Sequence, residues 1–290
     1  MLSNWRIFQH ERFPLHSHLP LILALLLAHV ALVGFSATRT GSWVTLFFVL
    51  LSFFFRMRLF DEIKDYAADC EKNPLRPLPR GILGVRDLQK AILILLCFEL
   101  ALTGIVNPIA LASLLPAQCY SFLMYKEFFI GKFLRPRLTT YAVSHTVVMV
   151  LLSALCGAWL LERFPWRLEA RNWVFAIGCF GIFNVFEFGR KTFAKIEEQP
   201  GVDSYSAIWG RSGAVFLNVS QGLLGLGAMG YAFPYHNLQW LLGGTVLAGL
   251  LFAGIAYIFI DTPAAAKNYR SVSGVSILLI LCVGILYAAY

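Results

Sequence analysis

Nine runs of about 20 mostly apolar residues leave this chain few folds to choose from. They lie near 19–36, 43–60, 88–106, 108–125, 138–161, 172–189, 212–233, 239–260 and 272–290. A helix rises about 1.5 Å per residue and the hydrocarbon core of a bilayer is about 30 Å thick, so such runs suit membrane crossing. They are too long and too evenly apolar for the alternating strands of a membrane barrel. The predicted fold is an all-α polytopic membrane bundle of nine transmembrane helices. It forms one domain over 1–290, with residues 1–18 as a cytoplasmic N-terminal tail. Composition agrees: 58% of residues are hydrophobic and 14% charged, against about 25% charged in a soluble domain. A soluble enzyme and a disordered chain are both excluded by that balance.

Arg6 and Arg12 precede the first run and Ser36-Ala37-Thr38 follows it, which is the outline of a signal peptide. The length of the run, and the eight behind it, favour a retained helix. Gly222, Gly225 and Gly227 read as positions of close helix packing. The basic residues set the orientation. With the N-terminus cytoplasmic, 20 of the 24 Lys and Arg fall on the inner side and four, Arg39, Arg163, Arg167 and Arg171, on the outer. The positive-inside rule then gives a cytoplasmic N-terminus and an outer C-terminus, in an inner membrane of bacterial or archaeal type. The net charge of +8 is on this reading a topology signal, and no nucleic-acid partner is expected. The six scattered cysteines form no CxxC pair and read as small buried hydrophobes. His10, His16 and His18 read as part of an interfacial tail.

The charges gather in three segments, 56–90, 126–137 and 190–211, which hold 26 of the 40 charged residues. All three lie on the proposed cytoplasmic side. In the first, Asp61, Asp65 and Asp69 follow one another at i, i+4 and i+8, on one face of a helix continuing out of the second run. Carboxylates so placed repel unless a cation joins them, and Mg²⁺ takes carboxylate oxygens and completes its shell with phosphates. The same spacing suits a solvated helix end whose Asp residues pair with Lys64, Arg56 and Arg58. The third segment again mixes Glu197, Glu198 and Asp203 with Arg190, Lys191 and Lys195. Two acidic clusters on one face can hold metal ions between them, with Arg76, Lys126, Arg190, Lys191 or Lys195 contacting an anion those metals carry.

This organisation resembles the UbiA superfamily of intramembrane prenyltransferases. That family has nine helices and two Asp-rich cytoplasmic motifs, the first commonly N-D-x-x-D-x-x-x-D followed by an R-P-L-P-x-G-like run. Here Asp61-Glu62-x-x-Asp65-x-x-x-Asp69 fills the frame, and Arg76-Pro77-Leu78-Pro79-Arg80-Gly81 follows at the family's distance. Tyr125-Lys126 is similar to the family's Tyr/Lys/Arg patch in the corresponding loop. The second motif departs. With Gly201 and Ser204 set at their family places, Glu197 is the second carboxylate and Phe193 stands where the first belongs.

The resemblance implies Mg²⁺-dependent transfer of an isoprenyl group from a prenyl diphosphate to an aromatic or other lipid-precursor acceptor, in the membrane. It implies Asp61, Glu62, Asp65, Asp69, Glu197 and Glu198 as metal ligands, and Arg76, Lys126, Arg190, Lys191 and Lys195 as diphosphate contacts. Asp65, Asp69, Arg76 and Lys126 are then the catalytic set. Three other readings stay open: a UbiA-like terpene cyclase, a transporter using intramembrane Glu and His, and a non-catalytic member suggested by Phe193. Among the remaining polar residues in the runs, Glu99, His29 and His145 read as hydrogen-bonded structural groups, and Glu187 as an i, i+4 partner of Lys191.

Overall fold

The computed structural model describes residues 2–35, 40–234 and 236–287. The Ser36-Ala37-Thr38 and Arg39 expectations, and the last three residues of the final run, lie outside them. Twelve α-helices follow in order: α1 (Leu2–Arg12), α2 (Leu15–Val33), α3 (Thr40–Lys72), α4 (Val85–Val106), α5 (Leu111–Tyr125), α6 (Gly131–Leu134), α7 (Leu138–Thr146), α8 (Val148–Leu161), α9 (Ala170–Arg190), α10 (Tyr205–Ala232), α11 (Asn237–Phe259) and α12 (Pro263–Tyr287). Among the described residues there is no strand.

Eight stretches are long and apolar enough to cross a membrane, α7 and α8 counting together as Leu138–Leu161. The protein is an integral, multi-pass membrane protein. The ninth predicted run is α5, whose 15 residues follow a 3₁₀ turn at Pro108–Ala110. Pro108 fixes φ and withholds an N–H, so the chain turns there before the α-helix starts. α3 runs 33 residues and carries the first acidic frame out of the second apolar run as unbroken helix.

The core is built where apolar residues cover a whole helix surface. α8 is buried on nearly every side, and Trp159, Phe53 and Phe175 are fully enclosed. α4 is different, with Leu93, Ile94 and Ile105 exposed, as suits a helix facing acyl chains. α9 and α10 meet closely at Gly181 and Gly225. A methyl on Gly181 would lie 2.9 Å from the Gln221 carbonyl oxygen, which cannot swing away as a side chain could. Gly222 likewise faces Leu247 of α11, but a methyl on Gly227 would meet nothing within 4 Å, so no close helix approach requires glycine there.

Two further expectations are corrected. Residues 2–12 are a packed helix, with Phe8 fully buried, because Trp5, Phe8 and Phe13 dock against Phe55 of α3. Only Cys156 and Cys179 are buried, while Cys70, Cys97, Cys119 and Cys282 are exposed. In a bilayer an outward thiol on a span meets lipid, so burial is not required of it.

Candidate active site

The charged ends of α3 and α9 and the side of α7 enclose a cavity of about 450 Å³. Its lining carries Arg12, Arg58, Lys64, Arg76, Arg190 and Lys191 together with Asp61, Asp65 and Glu187. The apolar part of the lining is formed by Met57, Met124, Val148, Met149, Phe183 and Phe186. Tyr141 and His145 of α7 make the side wall between them.

The carboxylates of the first frame have different partners. Asp61 accepts from Lys64 Nζ at 2.9 Å, and that ammonium stands 5.5 Å from the centre of the Tyr141 ring. Asp69 is buried and takes Arg76 Nη1 at 2.5 and 2.6 Å, with Asn73 Nδ2 at 3.0 Å. Glu62 lies one residue round the helix from Asp61. It is buried between Arg12, whose Nε donates at 2.7 Å, and Arg58. Asp65 lines the cavity with no hydrogen bond or ion pair among the described residues. Arg56, expected to pair with this stripe, is instead wholly buried one turn up the helix, donating to both oxygens of Glu99 at 3.0–3.2 Å. Glu99 is thus a structural group, as read from the sequence, though its partner is a charge.

The segment after α9 is folded on itself. Arg190 and Lys191 reach the cavity, and Glu187 pairs with Arg190 at 2.6 and 2.9 Å, not with Lys191. Burial, with Arg190 alongside, pushes the Lys191 ammonium below the ordinary lysine range. Glu197 ends a 3₁₀ turn over Lys195–Glu197 and accepts from Arg270 of α12 at 2.9 and 3.1 Å. That guanidinium holds the Glu197 carboxyl below the usual carboxylate range. It also lies 5.0 Å from the centre of the Phe193 ring, a cation–π contact. Glu198 accepts from the Ser204 and Ser206 hydroxyls at 2.7 and 2.6 Å. The Lys195 backbone N–H donates to Asp261 at 3.0 Å.

Of the sequence-predicted residues, Asp61, Asp65, Arg76, Arg190 and Lys191 are brought to one cavity. Glu62 and Asp69 stand behind it, holding arginines. Among the described residues its wall does not include Lys126, Lys195, Glu197 or Glu198. Lys126 caps α5 and its ammonium lies 4.9 Å from the centre of the Tyr125 ring. The next three residues, Glu127, Phe128 and Phe129, all adopt left-handed φ of 50–58°. They turn the chain so that Phe128 meets the edges of Tyr120 and His145. Sequence reasoning missed Arg12, Arg58, Lys64 and Tyr141. The i, i+4 step from Tyr141 to His145 was the one available signal, since it puts both rings on one face, stacked 4.0 Å apart. His145 Nδ1 lies 2.7 Å from the Tyr141 carbonyl oxygen, as befits a packing histidine. Its Nε2 is buried without a partner among the described residues.

Mg²⁺ fits only part of this donor set. Among the described residues no three His, Cys, Asp or Glu side chains cluster tightly enough to hold a metal ion alone. One or two carboxylates suffice when waters and substrate phosphates complete the shell. Asp61 and Asp65 line the cavity, but Lys64 holds Asp61 and Arg76 holds Asp69, so the expected stripe of three is reduced to Asp65 as the one carboxylate without a partner among the described residues.

No protein-family model matches the sequence, and no curated protein matches it. The structure is similar to that of a digeranylgeranylglyceryl phosphate synthase in membranes, a UbiA-type prenyltransferase. The two superpose with a TM-score of 0.66 and 14% sequence identity over 99% of both chains. At that identity the likeness is one of fold: the chain matches a UbiA-type membrane prenyltransferase fold.

Proposed function

We propose that the chain transfers an isoprenyl group from a prenyl diphosphate to an aromatic or other lipid-precursor acceptor, in the membrane that holds it. The observation that carries this reading is the cavity, whose lining combines six basic side chains with Met, Val and Phe. The basic part suits a polyanion and the apolar part a hydrocarbon tail. The fold shared with a prenyltransferase supports it.

In this reaction the C1–O bond of the donor breaks and diphosphate leaves with the electron pair. C1 bonds to the acceptor, which gives up a proton. Negative charge grows on the leaving oxygens, and Arg58, Arg76, Arg190 and Lys191 of the cavity lining supply the positive charge and N–H donors to meet it. The allylic carbon left positive needs a dry wall, and Phe183, Phe186 and the Met side chains exclude water there. Asp65, with Asp61 once Lys64 has released it, would hold Mg²⁺, which when bound adds further neutralisation of the diphosphate. The excess of Lys and Arg at this end of the bundle supports a cytoplasmic mouth, hence a soluble diphosphate product released on that side.

The test is product analysis with purified protein in lipid bilayers, labelled prenyl diphosphates and a panel of phenolic and glycerol-phosphate acceptors. A prenylated acceptor is expected, and Asp65→Asn should lower its rate by at least about a hundredfold, the scale of one lost electrostatic contact to the reacting charge. Absence of diphosphate release with every acceptor would defeat the proposal.

A further inference from the structure

The face that α4 turns outward carries a groove. Among the eight apolar stretches, Val85–Val106 is the least buried. Two recesses adjoin there, of about 340 and about 300 Å³, and Phe55 of α3 and Leu95 of α4 line both. Trp5 lines the first and Phe13 the second, so the N-terminal segment borders the groove along its length. Lys90 and Phe98 mark its two ends on α4, about 12 Å apart along the helix. Ile94, Phe48 and Phe98 line it and are exposed, so the groove is open to the acyl chains around the bundle. Its polar residues offer little to water. Ser52 donates to Glu99, Gln9 to the Phe13 carbonyl, and Asp87 accepts from the Gly84 N–H at 2.9 Å. An apolar recess of this size in a bilayer is filled by hydrocarbon, because an empty one forfeits dispersion contacts and water would find no partners.

The polar end of the groove decides which hydrocarbon-bearing molecule fits. Lys90 lines it and makes no hydrogen bond or ion pair among the described residues. Arg86, at i−4 on the same side of α4, is likewise without one. A lysine so placed lays its stem along the apolar wall and holds its ammonium at the headgroup level, where an anionic lipid supplies the missing counter-charge. We infer that the groove between α1 and α4 binds one anionic phospholipid, with an acyl chain against Phe55 and Leu95 and its phosphate on Lys90. The site stands apart from the donor cavity, since no residue that lines the groove lines that cavity. α1 nevertheless serves both: Trp5 borders the groove, and Arg12 lines the cavity and holds Glu62. The lipid therefore completes the packing of the helix that carries Arg12.

The experiment places the full chain in nanodiscs of phosphatidylcholine with a minor share of phosphatidylglycerol. Native mass spectrometry then counts retained lipids and protomers together. Wild type should retain one phosphatidylglycerol per chain in preference to phosphatidylcholine. Lys90→Gln should weaken that retention by about ten- to a hundredfold, the range for one hydrogen bond to a charged group. Ala91→Phe fills the first recess and leaves the charge in place, and it should lose the lipid as well. Retention of the two lipids by wild type in proportion to their supply overturns the inference whether or not the variants fold. So does a Lys90→Gln protein that keeps phosphatidylglycerol as wild type does. An Ala91→Phe protein that keeps it places the lipid on the surface charge alone, and overturns the groove. Wild-type dimers free of lipid would put a second copy of the chain on this face, and overturn it too.

Discussion

Removing the Glu99 carboxylate isolates a cation inside the bundle. Arg56 and Glu99 are both 0% exposed, joined by three contacts of 3.0–3.2 Å, and Arg56 Nη1 also donates to Ser121 at 2.8 Å. In Glu99→Leu the guanidinium keeps Ser121 and the face of Phe53 but loses its counter-charge. A buried charge so stranded costs about 3–5 kcal/mol. The double variant Arg56→Met/Glu99→Leu removes both charges and leaves Ser52, Ser121 and Gln118 short of one partner each, at about 1 kcal/mol or less per hydroxyl or amide. The double variant should therefore be more stable than Glu99→Leu alone by roughly 1–3 kcal/mol. Reversible unfolding in bilayers, by steric trapping or detergent titration, measures wild type, Glu99→Leu, Arg56→Met and the double variant. Ordinary interhelical hydrogen bonds in membranes average about 0.6 kcal/mol. If Glu99→Leu loses no more than that, or the two single losses simply add, the pair is not acting as a buried ion pair. Activity should fall with stability, because this junction fixes α4 and α5 against α3 five residues before Asp61.

Asp69→Asn should lower stability by about 1.5–3 kcal/mol through the freed Arg76, and should weaken prenyl diphosphate binding less than Asp65→Asn does; thermal melts and analogue titrations separate the two effects. The Glu197 carboxyl titrates lower folded than unfolded, so its contribution is present above the unfolded value of about 4.3 and is lost as pH falls through the folded value. Melting temperature should thus fall below about pH 4.3 more steeply for wild type than for Glu197→Gln, and parallel curves would count against the Arg270 pairing. Phe129 has φ of 58° with its side chain 78% exposed, so Phe129→Gly relieves left-handed strain with little packing lost. It should gain about 0.5–1 kcal/mol, since the strain is about 1–2 and glycine's extra chain entropy about 0.5–1.

What could be read from the sequence is what short-range chemistry dictates. Length and apolarity alone located the spans, and helical spacing alone put Asp61 and Asp65 on one side of α3. The N-terminal helix escaped notice because its apolar residues, Trp5, Phe8 and Phe13, are few and lie among charges; only Phe55, far along the chain, explains them. Arg12 was missed as a cavity residue for the same reason. The partners of the second motif were beyond reach of local patterns, since Arg270 meets Glu197 across 73 residues and Tyr257 reaches the Phe193 carbonyl across 64. Glu197 and Glu198 look like ligands in sequence because nothing nearby shows that their oxygens are already engaged.

The Glu197–Arg270 contact also sets a clock. Chains are made at about 5–20 residues per second, so Arg270 leaves the ribosome roughly 4–15 s after the carboxylate it must hold. During that interval α9 and the loop behind it are in place without their clasp. α12 brings the clasp and packs against α2 as well as α9. The loop after α9 is therefore expected to take its folded shape only on insertion of α12, and chains truncated before Pro263 should be inserted with that loop unclasped.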